Sequence, residues 1–314
     1  MSRPPTPASA TGDSSATGDP SASQRLDVYL VTRGLARSRG QASELITSGA
    51  VTVDGRVVTR ASHRVASDAE VAARAERWVG RAAYKLLAAL ELFGDDLPDL
   101  SAARCLDIGA STGGFTQVLL ERGVRSVVAL DVGHGQLAPL VAADPRVVER
   151  SGLNVRDLAP GDLGEPFDVV VGDLSFISLR LVLPVIREQL ARHGVAILLV
   201  KPQFEVGRGR LGKGGVVRSE RDRTAAVRQV LLRADELGLS PCRLATSPLP
   251  GTGGNVEYLV LLRRTRDDRE SSTSAHASCP SDEGQPGHGS PGGAALVDRL
   301  IGELDRPHHH EGFT

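Results

Sequence analysis

The chain is 314 residues long, 40% hydrophobic and 24% charged, with a formal charge of −1. It can therefore bury a core, it is not disordered throughout, and its length admits one large domain or two modest ones. No secretory signal is recognisable, and apolar runs such as 195–200 and 256–262 fall far short of the ~20 residues of a membrane helix. The three cysteines, Cys105, Cys242 and Cys279, show neither disulfide nor metal spacing. A cytoplasmic protein without disulfides, membrane span or obligate metal is expected.

The near-zero charge hides a split. Residues 1–24 and 266–314 are Pro-, Ser- and Gly-rich tails, too poor in apolar side chains to offset chain entropy, and the second is acidic. Between them, residues 25–265 hold 32 bases against 27 acids, net +5, and 10 bases against 6 acids of that set fall in 25–81. A basic module inside a neutral chain points to an anionic partner.

In that module, Leu26, Tyr29 and Leu30 have helical spacing, and the chain pauses at Gly34. Ser38 can cap a second helix whose buried stripe is Ala42, Leu45 and Ile46, with Gly49 at the C-cap position. VTVDG (51–55) then reads as a strand entering a turn. Arg25, Arg37 and Arg39 lie near the helix starts. The text GLARSRGQASELI followed by SGAVTVDGR resembles the RNA-binding alpha-L module of ribosomal small-subunit protein four. That resemblance implies that Arg25, Arg37, Ser38 and Arg39 face structured RNA, through phosphate contacts that position rather than specify.

From 82 to 265 the pattern changes. A helix at RAAYKLLAALELF (81–93) is followed by strand signals at 104–108, 127–131, 167–173, 195–201 and 256–263, with helical stretches between the earlier ones. This alternation predicts an α/β domain with a mostly parallel sheet, helices on both faces and ligands at the carboxyl ends of the strands.

The first strand runs into LDIGASTGGFT, where Gly109, Gly113 and Gly114 form a turn into the helix that begins at Phe115. Glycines there let a ligand approach the backbone. Asp107, ahead of the turn, suits a ligand with an ammonium group. Asp131, 22 positions beyond Gly109, closes the next strand where a carboxylate can take ribose hydroxyls. The spacing is not that of a dinucleotide loop. A second glycine pattern, Gly207-x-x-x-x-Gly212-Lys213, mimics a phosphate-binding loop, but Gly214 replaces its magnesium-binding hydroxyl, so ATP hydrolysis is discarded. The LDIGASTGGFT arrangement resembles the S-adenosylmethionine site of Rossmann-like methyltransferases. The resemblance implies a cofactor held by Asp107, Gly109, Ser111, Thr112, Gly113, Gly114, Phe115, Asp131 and Asn154, the last meeting the adenine edge.

Of 37 basic residues only Lys85, Lys201 and Lys213 are lysine. A chain that otherwise uses arginine keeps lysine where a compact ammonium of adjustable pKa is needed. Lys201 ends a central strand and Asp173 the one before it; Lys85 lies on the leading helix and Glu257 near the last strand signal. The order Lys85, Asp173, Lys201, Glu257 resembles the tetrad of FtsJ-like ribose 2′-O-methyltransferases. GASTGGFT, DLSFIS, KPQFEVG and PLPGTGGNVEY resemble the TlyA family, over about residues 25–263. Membership implies S-adenosylmethionine-dependent 2′-O-methylation of cytidine in ribosomal RNA of the small or large subunit. In that reading Lys201 works against the hydroxyl, Asp173 orients it, and Lys85 and Glu257 fix the cluster.

The segment EVGRGRLGKGGVVR (205–218) is glycine-rich and basic, with Arg208, Arg210, Lys213 and Arg218. It is expected to be a mobile loop that orders on RNA. AALVDRLIGELD (294–305) has apolar residues at helical spacing and reads as a short docking helix. A non-catalytic RNA-binding or haemolysin-type protein is the competing reading; it would need neither the tetrad nor the cofactor loop.

Overall fold

The computed structural model describes residues 23–36, 38–73, 77–265 and 291–304. Arg37 and most of both polar tails lie outside the described residues. The chain divides into two compact units between Arg77 and Trp78.

In the first unit, β1 (Gln24–Arg25) leads into α1 (Leu26–Thr32) and α2 (Arg39–Thr47). These are followed by β2 (Val51–Val53), β3 (Arg56–Val57), β4 (Arg64–Val65) and β5 (Val71–Ala73). β2 pairs antiparallel with both β3 and β5, and β1 with β4. The β2–β3 turn is Asp54-Gly55, both at positive φ (50° and 75°), the geometry that a two-residue hairpin needs to follow strand twist. Leu26, Leu30, Ala42, Ile46 and Val51 are fully buried, so the helical spacing and the short strand converge on one core. Ser38 Oγ accepts from the Gln41 amide at 3.2 Å and caps α2.

The second unit opens with α3 (Ala82–Leu92). It continues through β6 (Arg104–Ile108), α4 (Gly114–Glu121), β7 (Ser126–Asp131), α5 (Pro139–Ala142) and β8 (Val147–Ser151). β9 (Phe167–Gly172), α6 (Leu183–Gln189), β10 (Leu190–Val200), α7 (Pro202–Glu205) and α8 (Glu220–Glu236) follow. β11 (Leu239–Thr246), β12 (Tyr258–Arg264) and α9 (Pro291–Leu304) complete it. The seven strands lie in the order β11-β12-β10-β9-β6-β7-β8. β12 runs antiparallel to β10 and to β11, and the other pairs are parallel. The sheet is thus mixed, with one reversed strand.

Alternate residues of the central strands enter two cores. Leu106, Val170, Leu198 and Val260 pack with Ile186 of α6, Val230 of α8 and Val297 of α9. Cys105, Val169, Ile197 and Leu261 pack with Leu86 of α3 and Val118 of α4, and Trp78 belongs to this second core. Strand order reverses between β6 and β9, and it is outside the carboxyl ends at such a point that an open α/β sheet leaves a crevice. No helix among the described residues is long and apolar enough to cross a membrane.

Two strands of this seven-stranded sheet carried no readable signal. β8 is an edge strand whose residues are almost all exposed, so nothing in its sequence alternates. β11 holds Pro241 at a register shift, a residue that a sheet tolerates at its edge.

Candidate active site

The turn after β6 is shaped by backbone geometry before any side chain acts. Gly109 has φ +80°, and its amide donates to the Leu130 carbonyl at 2.8 Å. A Cβ at Gly109 would press on Leu174 at 3.2 Å. Gly113 (φ +90°) caps α4, and a Cβ there would meet Leu137 at 2.8 Å; one on Gly114 would lie 3.1 Å from the Ala83 backbone nitrogen. These two glycines therefore admit close packing of Leu137 and of α3, and Phe115 is buried in the core. Thr112 is half-buried, and its carbonyl accepts from the Ala138 amide.

Gly109, Ser111 and Asp131 line a cavity of about 340 Å³, together with Val132, Gln136 and Val155 on one side and Asp173, Leu174, Ser175 and Phe176 on the other. Asp131 Oδ2 accepts from the Ser111 amide and Oδ1 from the Gly133 amide, both at 2.8 Å. The carboxylate thereby braces the glycine turn against the end of β7 and stands on the cavity wall. Asn154 does not line this cavity: its Oδ1 accepts from the Arg156 amide at 3.1 Å, capping a short turn, and the neighbouring Val155 lines the wall.

Asp107 lies beneath the turn, wholly buried. Oδ2 accepts from Thr116 Oγ1 at 2.6 Å, and Oδ1 has no hydrogen-bond partner. Burial without a neighbouring cation pushes its pKa up to about 7, with the Thr116 bond opposing.

Four residues from four parts of the chain meet beside this cavity, which Asp173 lines. Lys85 Nζ contacts Glu257 Oε2 at 2.6 Å and Asp173 Oδ2 at 3.3 Å, and Lys201 Nζ contacts Asp173 Oδ1 at 2.6 Å. Lys85, Lys201 and Glu257 are all under a tenth exposed. Charges so buried require partners, and here cations and carboxylates alternate, with Asp173 shared between both lysines. Lys201 also donates to Ser175 Oγ at 2.9 Å, which carries the network to the cavity wall. Glu257 sits against Gly251, where any Cβ would strike its carboxylate, and Gln203 Nε2 donates to its other oxygen at 3.3 Å.

Three neighbours lie in the family-like stretches DLSFIS and KPQFEVG, but they were not singled out as site residues. Ser175 and Gln203 are ordinary polar residues in sequence. Phe176 is 91% exposed on a backbone of φ +65°, with its ring 5.4 Å from that of Phe204; an aromatic among small residues after a strand was the one available hint.

Among the basic residues, Arg25 and Arg39 converge on Asp27. Arg25 Nε reaches Oδ1, and Arg39 donates to Oδ2, both at 2.9 Å, with the two arginine side chains 44% and 65% exposed. Hydrogen bonds from Arg25 hold the Asp27 carboxyl well below the usual range. Asp27 is thus the buried support that sequence reading passed over. Arg208 falls in a 3-10 turn with Arg210, whose side chain pairs with Asp222 at 3.6 Å. Lys213 is exposed. The glycine-rich segment is anchored at its end: Asn255 Oδ1 accepts from the Val217 amide at 3.0 Å, and Nδ2 donates to the Gly215 carbonyl at 3.2 Å. Glu205, at the start of that segment by sequence, is buried and fully bonded, so the exposed loop begins after it.

The FtsJ-like methyltransferase family matches residues 78–264, and the S4 domain matches residues 24–71. The chain is 50% identical over 248 residues to the 16S/23S rRNA (cytidine-2′-O)-methyltransferase TlyA of Mycobacterium tuberculosis, covering 78% of this chain and 91% of that protein. It is 36% identical to Hemolysin A of Brachyspira hyodysenteriae, covering 75% and 98%. A solved structure of a Streptococcus thermophilus protein designated a hemolysin superimposes with a TM-score of 0.62 at 31% identity, covering 90% of this chain and 96% of that one.

Proposed function

The chain belongs to the TlyA family, with an S4 domain and an FtsJ-like methyltransferase domain, and on that premise we propose that it methylates the ribose 2′-oxygen of cytidines in 16S and 23S ribosomal RNA. S-adenosylmethionine is the methyl donor implied by the fold. When bound it supplies an electrophilic methyl on a positive sulfur. The residues present fit such a group: Gly109 leaves the backbone bare at the crevice, and Asp131 and Asp173 put carboxylates on a wall that also carries the apolar Leu130, Val132, Val155 and Leu174. Gly109, Ser111 and Asp131 would hold it, with Asp107 supporting the turn from below.

The observation that carries the catalytic reading is the buried Lys85–Asp173–Lys201 chain opening onto that same cavity. A ribose hydroxyl is a weak nucleophile near neutral pH, so a fixed cation against its oxygen lowers the barrier by stabilising the charge that develops as the bond to the methyl carbon forms and the hydroxyl proton passes to solvent. Lys201 takes this role. Asp173 holds the Lys201 ammonium in one place, and Lys85 with Glu257 fixes the opposite oxygen of Asp173 so that the carboxylate cannot turn away. Phe176 offers a free aromatic face beside Ser175, suited to stacking on an unpaired base, which is how proteins commonly hold single nucleotides. Arg25 and Arg39, held by Asp27, would contact RNA phosphates from the first unit, and Arg210 and Lys213 would do so separately from the second.

The test is transfer of labelled methyl from S-adenosylmethionine to unmodified ribosomal subunits, with the labelled nucleotide mapped. Label on a cytidine ribose with wild type, and none with Lys201→Ala, is expected. Wild type that binds cofactor and subunits but transfers nothing would return the chain to a binding role.

A further inference from the structure

One buried acid next to the tetrad has no part in the proposed chemistry. Glu205 ends α7, four residues after Lys201, and its side chain is 1% exposed. Its Oε1 accepts from the Leu179 amide at 2.6 Å, and its Oε2 accepts from Ser178 Oγ at 2.6 Å and from Arg180 Nε at 3.2 Å. All three donors are consecutive, and all lie on the segment that leaves β9 through Asp173.

Residues 174–177 are therefore pinned at both ends. Asp173 is fixed by two lysines at one end, and Glu205 grips 178–180 at the other. Between these points Phe176 is held with a left-handed backbone, φ +65°, and an almost fully exposed ring. Such a conformation is disfavoured for a bulky L residue, and it persists only where the surroundings over-determine it. A ring as exposed as this one gains little from core packing beyond its contact with Phe204, so most of the constraint comes from the two ends.

We propose that Glu205 is a positioning residue that clamps the 173–178 segment so that Phe176 faces the acceptor nucleotide, and thereby sets acceptor use without touching either substrate. The inference rests on the reading that an RNA nucleotide lies in front of Lys201. Asp131 and the glycine turn, on the donor side of the cavity, are held by hydrogen bonds of their own to Ser111, Gly133 and Leu130, so loosening the clamp is expected to act on acceptor use far more than on donor binding.

The experiment uses the full chain and compares wild type, Glu205→Gln, Phe176→Ala and the double variant. Glu205→Gln keeps an oxygen for the Leu179 amide, but it turns an NH2 group toward the Ser178 and Arg180 donors. The expected result is a roughly tenfold fall in kcat/KM for unmodified subunits, carried mainly by KM, with the S-adenosylmethionine Kd within about twofold of wild type. In the Phe176→Ala background the same substitution should change kcat/KM by less than about twofold, because coupled residues are not additive. Hydrogen exchange reads the clamp without turnover: amides of 174–180 should exchange about tenfold faster in Glu205→Gln, while those of 109–114 keep wild-type rates. The proposal is overturned by unchanged exchange at 174–180, by parallel loss of cofactor binding, or by an undiminished effect in the Phe176→Ala background. If wild type leaves RNA unmethylated, it is the functional reading that falls, and the exchange result still decides the clamp.

Discussion

The Arg25–Asp27–Arg39 cluster and the Lys85–Asp173–Lys201–Glu257 cluster use the same device in opposite surroundings. In each, one carboxylate is shared by two cations, all within residues 25–39 in the first cluster and on well-separated segments in the second. In the first the carboxylate is buried and the guanidinium groups project into water; in the second the ammonium groups are buried too. Exposed cations attract any polyanion and are screened by salt. Buried ones keep their field for whatever reaches the crevice. The difference also accounts for residue choice: arginine at the surface gives planar, permanently charged phosphate contacts, whereas lysine inside gives a compact charge aimed at one oxygen.

The comparison is broken most decisively at Lys201. Lys201→Ala should lower methyl transfer by about 10²–10⁴-fold, and Lys201→Arg should not restore it, with the loss unchanged across a salt series. A loss that shrinks as salt rises would place Lys201 with the surface cations instead. Next in size is Gly251→Ala. The added Cβ displaces the Glu257 carboxylate from Lys85, and single-turnover transfer is expected to fall about ten- to a hundredfold, with subunit affinity retained. Arg39→Ala should weaken subunit binding several-fold at low salt and reduce the slope of log K against log salt by about 1. A titration of filter binding against salt measures both.

The smallest effect concerns Asp107, a carboxyl with no cation beside it. Its folded pKa is raised to about 7, above the unfolded value, so the folded state binds a proton that the unfolded state has released. Its burial leaves stability untouched at low pH and costs more as pH rises through the folded pKa. Between pH 6 and 8 the protein should lose on the order of 1 kcal/mol from this group. That is about 2–4 °C in Tm for a unit of this size. In Asp107→Asn the fall over that range should be absent; an equal fall in both proteins would remove Asp107 as its source.

Much of this was legible in order along the chain. Helical spacing of Leu26, Leu30, Ala42 and Ile46 located the first core, because apolar periodicity reports which face is buried. The glycine turn and the four tetrad residues were recognisable because each lies in a quoted motif at a strand end or on the leading helix. β8 and β11 were not legible, since edge strands need neither alternation nor continuous apolar runs. The two glycines at 113 and 114 were readable as a turn, but their close approach to Leu137 and Ala83 was not. Asn154 was expected at the adenine edge, yet the structure uses it as a cap and puts Val155 on the wall.

The sequence by itself determined the S4 and methyltransferase domains, the mostly parallel sheet and the family, and it named as candidates the four charged residues that the structure brings together. These are local or pattern properties, set by spacing, turn chemistry and residue type. Tertiary structure alone decided that Asp27 joins Arg25 to Arg39, that Asp173 is shared by both lysines, that Ser175 extends the network to the cavity, and that Glu205 grips the segment carrying Phe176. Each of these depends on a contact between residues 12 to 88 positions apart coming within hydrogen-bonding distance. Burial then sets the strength of each interaction, and no window along the chain contains that information.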